Sequence, residues 1–444
     1  MMAGKLQSKP VAVIGSGAAG LAAAFRLKQA GLKVLIIESA HAVGGKLRSK
    51  ERDGFVIDQG AFFLPSTYKH MVGMAMEAGF ADQIDVGGSI ISVARDGKLH
   101  DFDINHLVRD FLNTDLFSLG TKLSLGPVVK ELWLSRKCNF DHMPEMGALD
   151  VEDADRWARR ELSDELREYV AELVLRGMAG SPSNQSPRVE LPALFALFGG
   201  AKLLACRGGF GEFANKLATG IDVELHATAK EVTKLNDGVQ VIWTDRNGSE
   251  HVDMFAGCVV AGSTETVIDI LPGLDAWRRQ YLGNTRDKRS FIVNIGLSRP
   301  PADFVETYAV LPQSAHAFIG GICADHNKAP GRVPAGKGLM SLMPVWDWCE
   351  PRFDDDDAGI LRDSIEGLES IVPGTAQNVE FAEVSRWTQR YNPIGHYREL
   401  GRFRTQCAQQ DTTIQLAGDY FSYTNMETAI CSGEQAAHNL IKAL

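Results

Sequence analysis

The sequence predicts a two-domain α/β protein. A doubly wound, dinucleotide-binding domain is interrupted by a second domain of mixed sheet and helix. Three observations carry the prediction: a glycine fingerprint between a strand and a helix near residue 15, an acid ending the next strand, and a return of strand, Gly-Asp and helix at the C-terminus.

Val11-Ala12-Val13-Ile14 is a continuous apolar run, the pattern of a strand covered on both faces. Gly15, Ser16, Gly17, Ala18, Ala19 and Gly20 follow it. Gly15 permits the tight turn, Gly17 lets the backbone approach a pyrophosphate, and Gly20 lets the next helix pack closely on the sheet. That helix carries Leu21, Ala24, Phe25 and Leu27. The second strand, Lys33 to Ile37, leads into Glu38 and Ser39, with Glu38 set to accept hydrogen bonds from ribose hydroxyls. Residues 65–80 read as a helix whose Met71, Met74 and Met76 are core or, alternatively, a flexible substrate wall.

From about residue 81 the grammar changes. Strands Ser89–Ala94 and Leu99–Phe102 flank the turn Asp96-Gly97, and helical segments follow at 104–137, 151–178 and 191–205. Nucleotide-domain grammar returns at Arg207-Gly208-Gly209-Phe210-Gly211, before a short helix to Ala218. Strands then read at Val223–Leu225, Ala229–Leu235, Gly238–Thr244, Glu250–Phe255 and Cys258–Ala261. Ser290–Leu297 is a strand and Ala358–Ile371 a helix. The chain leaves one domain and returns to it twice. Residues 1–80, 205–275 and 385–444 are assigned to the nucleotide domain, and 81–204 and 276–384 to the substrate domain.

A length of 444 residues with 45% hydrophobic content supports two full cores. The net charge of −10 argues against nucleic acid and anionic membranes as partners. Seven scattered cysteines with no C-x-x-C read as reduced thiols, which points to a cytoplasmic protein without disulfides or zinc. The stretch before Val11 is short and polar, with no secretory core. The longest apolar stretch, Leu191 to Cys206, is interrupted by Pro192, Gly199, Gly200 and Lys202 and reads as a buried or surface-docked helix. No integral membrane segment is expected. Asp354 to Asp357 read as solvated acids at a helix start, with a metal site as the lesser alternative. The oligomeric state is open between monomer and homodimer.

Three further segments carry chemistry. In Gly44-Gly45-Lys46-Leu47-Arg48-Ser49, paired glycines expose backbone N–H groups while Lys46 and Arg48 add positive charge where phosphates lie. In Asp58-Gln59-Gly60-Ala61, small residues let a flat ring approach the backbone, and Asp58 is equally a turn cap. Near the C-terminus Ala417-Gly418-Asp419 ends a strand, and a helix starting at Asn425 or Met426 presents free N–H groups to an anion. Phe62, Phe63, Trp346, Trp348, Trp387 and Tyr391 are candidates to wall an apolar substrate pocket, and Asn425 to open room there or offer the substrate a hydrogen bond. His316 and His396 read as hydrogen-bonded structural histidines, with acid–base roles as the alternative.

These segments together resemble the flavin amine oxidase, protoporphyrinogen oxidase and phytoene desaturase superfamily. The resemblance implies a Rossmann-type FAD-binding domain, discontinuous in sequence, with a substrate domain over the flavin face. It also implies that Glu38 binds the adenosine ribose and that Gly15, Ser16, Gly17, Lys46, Arg48 and Asp419 line the phosphates and ribityl. Val232 would meet the adenine through its backbone, and Gly60, Ala61, Met426 and Ala429 would lie beside the isoalloxazine. Arg386-Trp387 followed by Tyr391-Asn392-Pro393-Ile394-Gly395-His396 is similar to the protoporphyrinogen oxidase pattern. The chain departs from the amine oxidase branch in having Asn425 in place of a cage tyrosine, and no lysine from Phe291 to Leu297. No cysteine stands where some amine oxidases attach flavin, which implies noncovalent FAD.

The expected function is therefore an FAD-dependent oxidoreductase that removes hydride from a C–H bond of a small cyclic or apolar substrate and forms a C=C bond. Dioxygen or another acceptor would reoxidise the flavin. The alternatives are an imine-forming amine oxidase, a protoporphyrinogen-oxidase-like enzyme, and a non-catalytic binding protein like the Rab GDP-dissociation inhibitors. No catalytic residue is assigned.

Overall fold

The computed structural model of the chain describes residues 9–138, 140–198, 200–409 and 413–444. Residues 1–8 of the polar lead-in, and Gly199 within the 191–205 segment, lie outside the described residues. Val11–Ile14 is the centre of a five-stranded, all-parallel sheet. On one side it pairs with Val34–Glu38, itself paired with Asp222–Leu225; on the other it pairs with Gly257–Val260, itself paired with Ile414–Leu416. All four residues of the central strand are buried, as a strand covered on both faces requires. Three separated stretches of chain thus build one sheet, the discontinuous Rossmann-type architecture expected.

Helix Ala18–Gln29 begins directly after the glycine fingerprint and packs on the C-terminal helix Met426–Ala443. Missing side chains make this possible. A Cβ on Gly433 would collide with the carbonyl oxygen of Ala19, and one on Gly20 with that of Gly15. Gly15 has φ +92°, a left-handed value at which a side chain is strained.

Thr228–Leu235, Gly238–Thr244 and Glu250–Phe255 form an antiparallel meander. A seven-stranded mixed sheet runs in the order Val379–Tyr391, Arg286–Leu297, Gly338–Pro344, Ile319–Ala324, Tyr308–Val310, Ile90–Arg95, Lys98–Asp103. Helix Asp357–Ile371 contributes to its apolar core, with Phe291, Ile295, Ile322 and Leu342 from the strands. The boundary drawn at 384/385 falls inside the Val379–Tyr391 strand, which stays whole because it pairs continuously with Arg286–Leu297.

The helical stretches are more broken than their periodicity suggests. Residues 104–137 form three short helices, Leu107–Asn113, Leu119–Leu123 and Gly126–Ser135; Ser118 caps the second and Pro127 lies in the first turn of the third. Residues 151–178 break at Leu162-Ser163 and include a π-helical turn at Arg167–Glu172. The helix expected over 191–205 spans only Glu190–Phe198. Leu203–Cys206 is instead a strand between Leu64–Pro65 and Ile84–Val86, after Gly200 (φ +75°) has turned the chain.

A buried ionic cluster joins the nucleotide side of the molecule to the mixed sheet. Arg332 Nη2 donates to Asp58 Oδ2 at 2.7 Å and to Asp325 Oδ1 at 3.1 Å, and its Nη1 donates to the Cys206 carbonyl at 2.7 Å. Lys328 Nζ donates to Asp325 Oδ1 and Ser341 Oγ to Asp325 Oδ2, at 2.7 and 2.6 Å. Asp58 Oδ1 accepts from Ser49 Oγ at 2.6 Å and from Phe210 N at 3.1 Å. Asp58 therefore holds a turn, and it is also half of an ion pair. Burial works to raise the Asp325 pKa, but the Lys328 and Arg332 charges outweigh it and hold the carboxyl below its ordinary range.

Removing one member of such a cluster strands the others without partners. Arg332→Met is expected to lower the unfolding free energy by about 3–5 kcal/mol. Urea denaturation followed by circular dichroism would measure it, and a loss within error would show that the cluster does not stabilise the fold.

Candidate functional site

A cavity of about 730 Å³ opens at the C-terminal ends of the parallel strands, where α/β sheets bind their ligands. Gly15, Gly17, Ala18 and Ala19 line one end. Helix Ala18–Gln29 has Gly17 as N-cap, no capping side chain and no acid in its first turn. Its first N–H groups and positive dipole end are therefore left for an anion. A Cβ built on Gly17 meets nothing within 4 Å, so this glycine leaves open room rather than a packing contact. Gly45 and Lys46 close the same end, and Gly60 is pressed against the Lys46 carbonyl.

Glu38 and Ser39 also line the cavity. Glu38 Oε2 accepts from Ser16 N at 2.7 Å and from Ser16 Oγ at 2.6 Å; Oε1 accepts from Ala40 N at 2.7 Å. The carboxylate is thus aimed by the fingerprint turn itself. Ser16 is fully buried and spends its donors on Glu38 rather than on the cavity.

Gly418, Asp419, Asn425, Met426 and Ala429 also line the cavity. Asn425 is the N-cap of the C-terminal helix, its Oδ1 accepting from Thr428 N at 2.7 Å. The helix expected to start at Asn425 or Met426 starts at Met426, and asparagine just before a helix is a strong cap signal. Phe62, Phe63, Trp346 and Trp387 form aromatic wall, joined by Met178, Phe291, Ile292 and Met343. Lys46 Nζ lies 5.6 Å from the centre of the Trp387 ring.

Several candidates lie elsewhere. Val232 is buried in the meander and lines a separate cavity of about 740 Å³ against the edge strand Ile414–Leu416. Ala227, Thr228 and Ala229 line the first cavity instead, because Ala227 N donates to the Glu38 carbonyl and fixes that part of the chain beside Glu38. Gly44 donates its N–H to the Ser16 carbonyl, and Arg48 Nε donates to the Gly45 carbonyl, so both shape the turn from outside the cavity. Gly20 is a packing residue. Trp348 stacks on Phe318 at 4.1 Å within the mixed-sheet core. Tyr391 donates to the Gln185 carbonyl and stands edge-on to Trp346, behind the wall rather than in it.

The histidines and acids weighed above are structural. His316 Nδ1 accepts from Ile319 N, and His396 Nε2 bonds the Tyr281 hydroxyl; burial lowers the pKa of both. Asp356 caps helix Asp357–Ile371, while Asp354 and Asp357 pair with Arg289 and Arg386. Among the described residues no group of three or more His, Cys, Asp or Glu could hold a metal. Met71 and Met74 are core.

Sequence reasoning missed Arg390. It is buried beside the cavity, donating from Nε to Asp419 Oδ1 at 3.2 Å and from Nη2 to the Asp419 and Ser422 carbonyls. It thereby sets the Gly418-Asp419 segment. Arg390 also bonds Asn392, whose Nδ2 donates to the Tyr397 hydroxyl, which donates to Glu190 Oε1 at 2.9 Å. The signal was present in the Arg386-to-Asn392 run but was spent on its aromatic residues. Asp287 was missed too. It lines the mixed-sheet wall, burial raising its pKa against the pull of Lys46.

A parallel sheet of this topology, with an uncapped glycine-led helix and a second helix start lining one cavity, is the architecture of a dinucleotide-binding domain. The chain belongs to the family of flavin-containing amine oxidoreductases, whose model matches residues 18–441. It is 22% identical to the coproporphyrinogen III oxidase of Bacillus subtilis over 98% of each chain. It is 24% identical to polyamine oxidase 2 of Arabidopsis thaliana, covering 88% of this chain and 78% of that one. Its fold matches cyclohexylamine oxidase from Brevibacterium oxydans with a TM-score of 0.78 at 17% identity, covering 98% and 99% of the two chains. The protein is an FAD-dependent oxidoreductase, which sets aside the non-catalytic alternative. The uncapped helix start and the open space at Gly17 fit FAD.

Two outcomes test this geometry. Gly17→Val is expected to fold normally yet lose FAD occupancy about tenfold or more, since only the pyrophosphate approach is blocked. Gly20→Ala should instead cost about 3 kcal/mol or more of stability, from overpacking. Flavin absorbance per folded protein and thermal melting separate the two. The other concerns Glu190, whose pKa burial pushes up from 4.5 to about 7, against the Tyr397 hydrogen bond. The folded state then binds this proton more tightly than the unfolded chain. Its stabilisation is full below pH 4.5 and is lost as pH rises through about 7. Melting temperatures at pH 5.5 and 8 should converge in Glu190→Gln relative to the unmodified protein.

Proposed function

We propose that the protein oxidises a cyclic, largely apolar substrate by removing hydride from a C–H bond and leaving a C=C bond, with a porphyrinogen-type macrocycle as the substrate class. The observation that carries this reading is the wall facing the nucleotide end of the cavity. Phe62, Phe63, Ile292, Met343, Trp346 and Trp387 make it apolar and broad enough for rings, and position 425 adds no aromatic cage. A coproporphyrinogen oxidase aligned along nearly the whole chain supports it.

When bound, FAD supplies the hydride acceptor. Gly15, Gly17, Ala18 and Ala19 would hold its pyrophosphate, Glu38 and Ser39 its adenosine ribose, and Met426 and Ala429 would set the C-terminal helix start against the pyrimidine edge. A helix start there favours negative charge. The aromatic wall buries the substrate at about 25 cal/mol per Å² and keeps water from the reacting carbon. Each two-electron step releases one hydride and one proton from the substrate. Asp287 would take that proton, a reading supported by its position on the cavity and by the burial that raises its pKa. Dioxygen or another acceptor then takes the electrons, and the flavin is held noncovalently.

Amine oxidation to an imine is the second reading, favoured by the fold shared with cyclohexylamine oxidase. Anaerobic mixing of the holoenzyme with coproporphyrinogen III, protoporphyrinogen, cyclohexylamine and putrescine distinguishes the two. Rapid bleaching by a porphyrinogen is expected; bleaching by amines alone would overturn the proposal. Acid precipitation should leave the flavin in the supernatant. Asn425→Tyr should slow flavin reduction about tenfold or more by intruding on the substrate, and cost about 1 kcal/mol for the lost cap. Asn425→Ser keeps the cap and should reduce within a few-fold of the unmodified rate.

A further inference from the structure

A line of neighbouring aromatic rings runs from the cofactor cavity to the surface. Tyr420 is buried and lines the cavity. Its ring centre lies 6.3 Å from that of Phe403, on helix His396–Gln409. Phe403 stacks on Tyr281 at 4.3 Å, and Tyr281 stacks on Trp277 at 5.7 Å, both on helix Ala276–Asn284. Residues 277 and 281 share one helix face and 396 and 403 share another, so the two helices bring these side chains together. His396 stacks on Tyr281 at 5.1 Å, with its Nε2 3.2 Å from the Tyr281 hydroxyl oxygen. Phe403, Tyr281 and His396 are buried, while Trp277 is half-buried and forms the outer end.

Aliphatic side chains would fill this space as well; what packing leaves unexplained is the chemistry of the rings. Phenol and indole lose a single electron more readily than other neutral side chains, and phenol does so best when a base takes its proton in the same step. His396 is such a base. Burial lowers its pKa, so the imidazole is neutral and carries a lone pair. The Tyr420 hydroxyl instead donates to the Ala417 carbonyl at 3.2 Å, which is no proton acceptor of that strength. A missing electron therefore rests more stably on Tyr281 than on Tyr420. The rings of the substrate wall are less suited. Lys46 Nζ lies 5.6 Å from the Trp387 ring centre, and Lys288 Nζ lies 4.5 and 4.6 Å from those of Trp346 and Tyr391. An ammonium that close opposes positive charge on the ring. Arg390 acts on Tyr281 and Tyr420 in the same sense, but it is paired with Asp419. Arg402 stands 4.3 Å from the Trp277 ring centre, yet it is exposed and water screens its charge.

We propose that Tyr420, Tyr281 and Trp277 form a relay that carries one-electron oxidising equivalents from the flavin cavity to the surface, with His396 as the proton acceptor of Tyr281. The oxidant is the light-excited oxidised flavin or a radical left by partial reduction of dioxygen. Tyr420 gives it one electron. Tyr281 replaces that electron across Phe403, its O–H bond breaking as the proton passes to His396 Nε2. Trp277 then returns one electron to Tyr281, which recovers its proton from His396, and the indole releases its own N–H proton to water. A soluble thiol restores Trp277 by giving up one electron and one proton, and two such thiols end as a disulfide. The relay protects the cavity from radical damage. It lies beyond the two-electron reaction and holds for either substrate reading.

Electron paramagnetic resonance tests it. The holoenzyme is illuminated with blue light in the absence of substrate and dioxygen, with hexaamminecobalt(III) present to take the electron from the flavin, and is then frozen. A neutral tyrosyl radical is expected. Tyr281→Phe keeps the ring stack and should lose the signal with flavin content unchanged, since residue 281 does not line the cavity. Trp277→Phe should keep the signal, but its decay after the light is switched off, with glutathione present, should slow severalfold. No tyrosyl signal in the unmodified holoenzyme, or an undiminished one in Tyr281→Phe, would overturn the proposal. So would unchanged decay in Trp277→Phe, because the oxidising equivalent would then leave by another route.

Discussion

Arg332 sits where three parts of the chain must meet, and its two Nη nitrogens serve all of them. They reach Asp58 of the N-terminal hairpin, the Cys206 carbonyl ahead of the 210–218 helix, and Asp325 of the mixed sheet. None of these contacts is interchangeable with a greasy one, because guanidinium and carboxylate geometry fixes distance and direction together. Two adjoining halves could slide on an apolar seam; they cannot slide on this cluster. The cavity depends on that constraint, since Gly60, Ala61 and Phe62 follow Asp58 within four residues.

The second determinant is the approach of two helix starts. Gly433 lets the C-terminal helix touch the backbone of the first helix at Ala19. Both helices then present their N-terminal turns to one cavity, one uncapped at Gly17 and the other capped by Asn425. Backbone dipoles of this kind favour an anion without side-chain entropy and without titrating. Lys46, over the Trp387 ring, adds a positive charge to the same cavity. Arg390 supplies none to the ligand; its donors are spent on Asp419, Ser422 and Asn392.

Much of the nucleotide half was legible in sequence because its signals are local. Gly15 to Gly20, Glu38 and Gly418-Asp419 each sit at a strand end, and their spacing encodes their geometry. Val232 lies off this cavity because the stretch of chain beside Glu38 is fixed by a hydrogen bond between distant residues, Ala227 and Glu38, which no local pattern expresses. The helix expected across Leu191–Cys206 failed for a related reason. Its second half is recruited as a strand by partners at Leu64–Pro65 and Ile84–Val86, a tertiary override of apolar periodicity. Trp346 and Trp348 are two residues apart and end in different environments, one on the cavity and one in the core. Composition cannot tell such neighbours apart.

The route of the chain through the parallel sheet has a temporal meaning. Its central strand, Val11–Ile14, is made long before the sheet's last strand, Ile414–Leu416, and its covering helix, Met426–Ala443. The mixed sheet, by contrast, is complete at Tyr391. During synthesis the second domain can therefore close while the first still waits for its final residues. The central strand remains without its full complement until Ile414–Leu416 has been made. A chain that stops short of Met426 lacks the second helix start on the cavity, so the cavity is completed only after the mixed sheet.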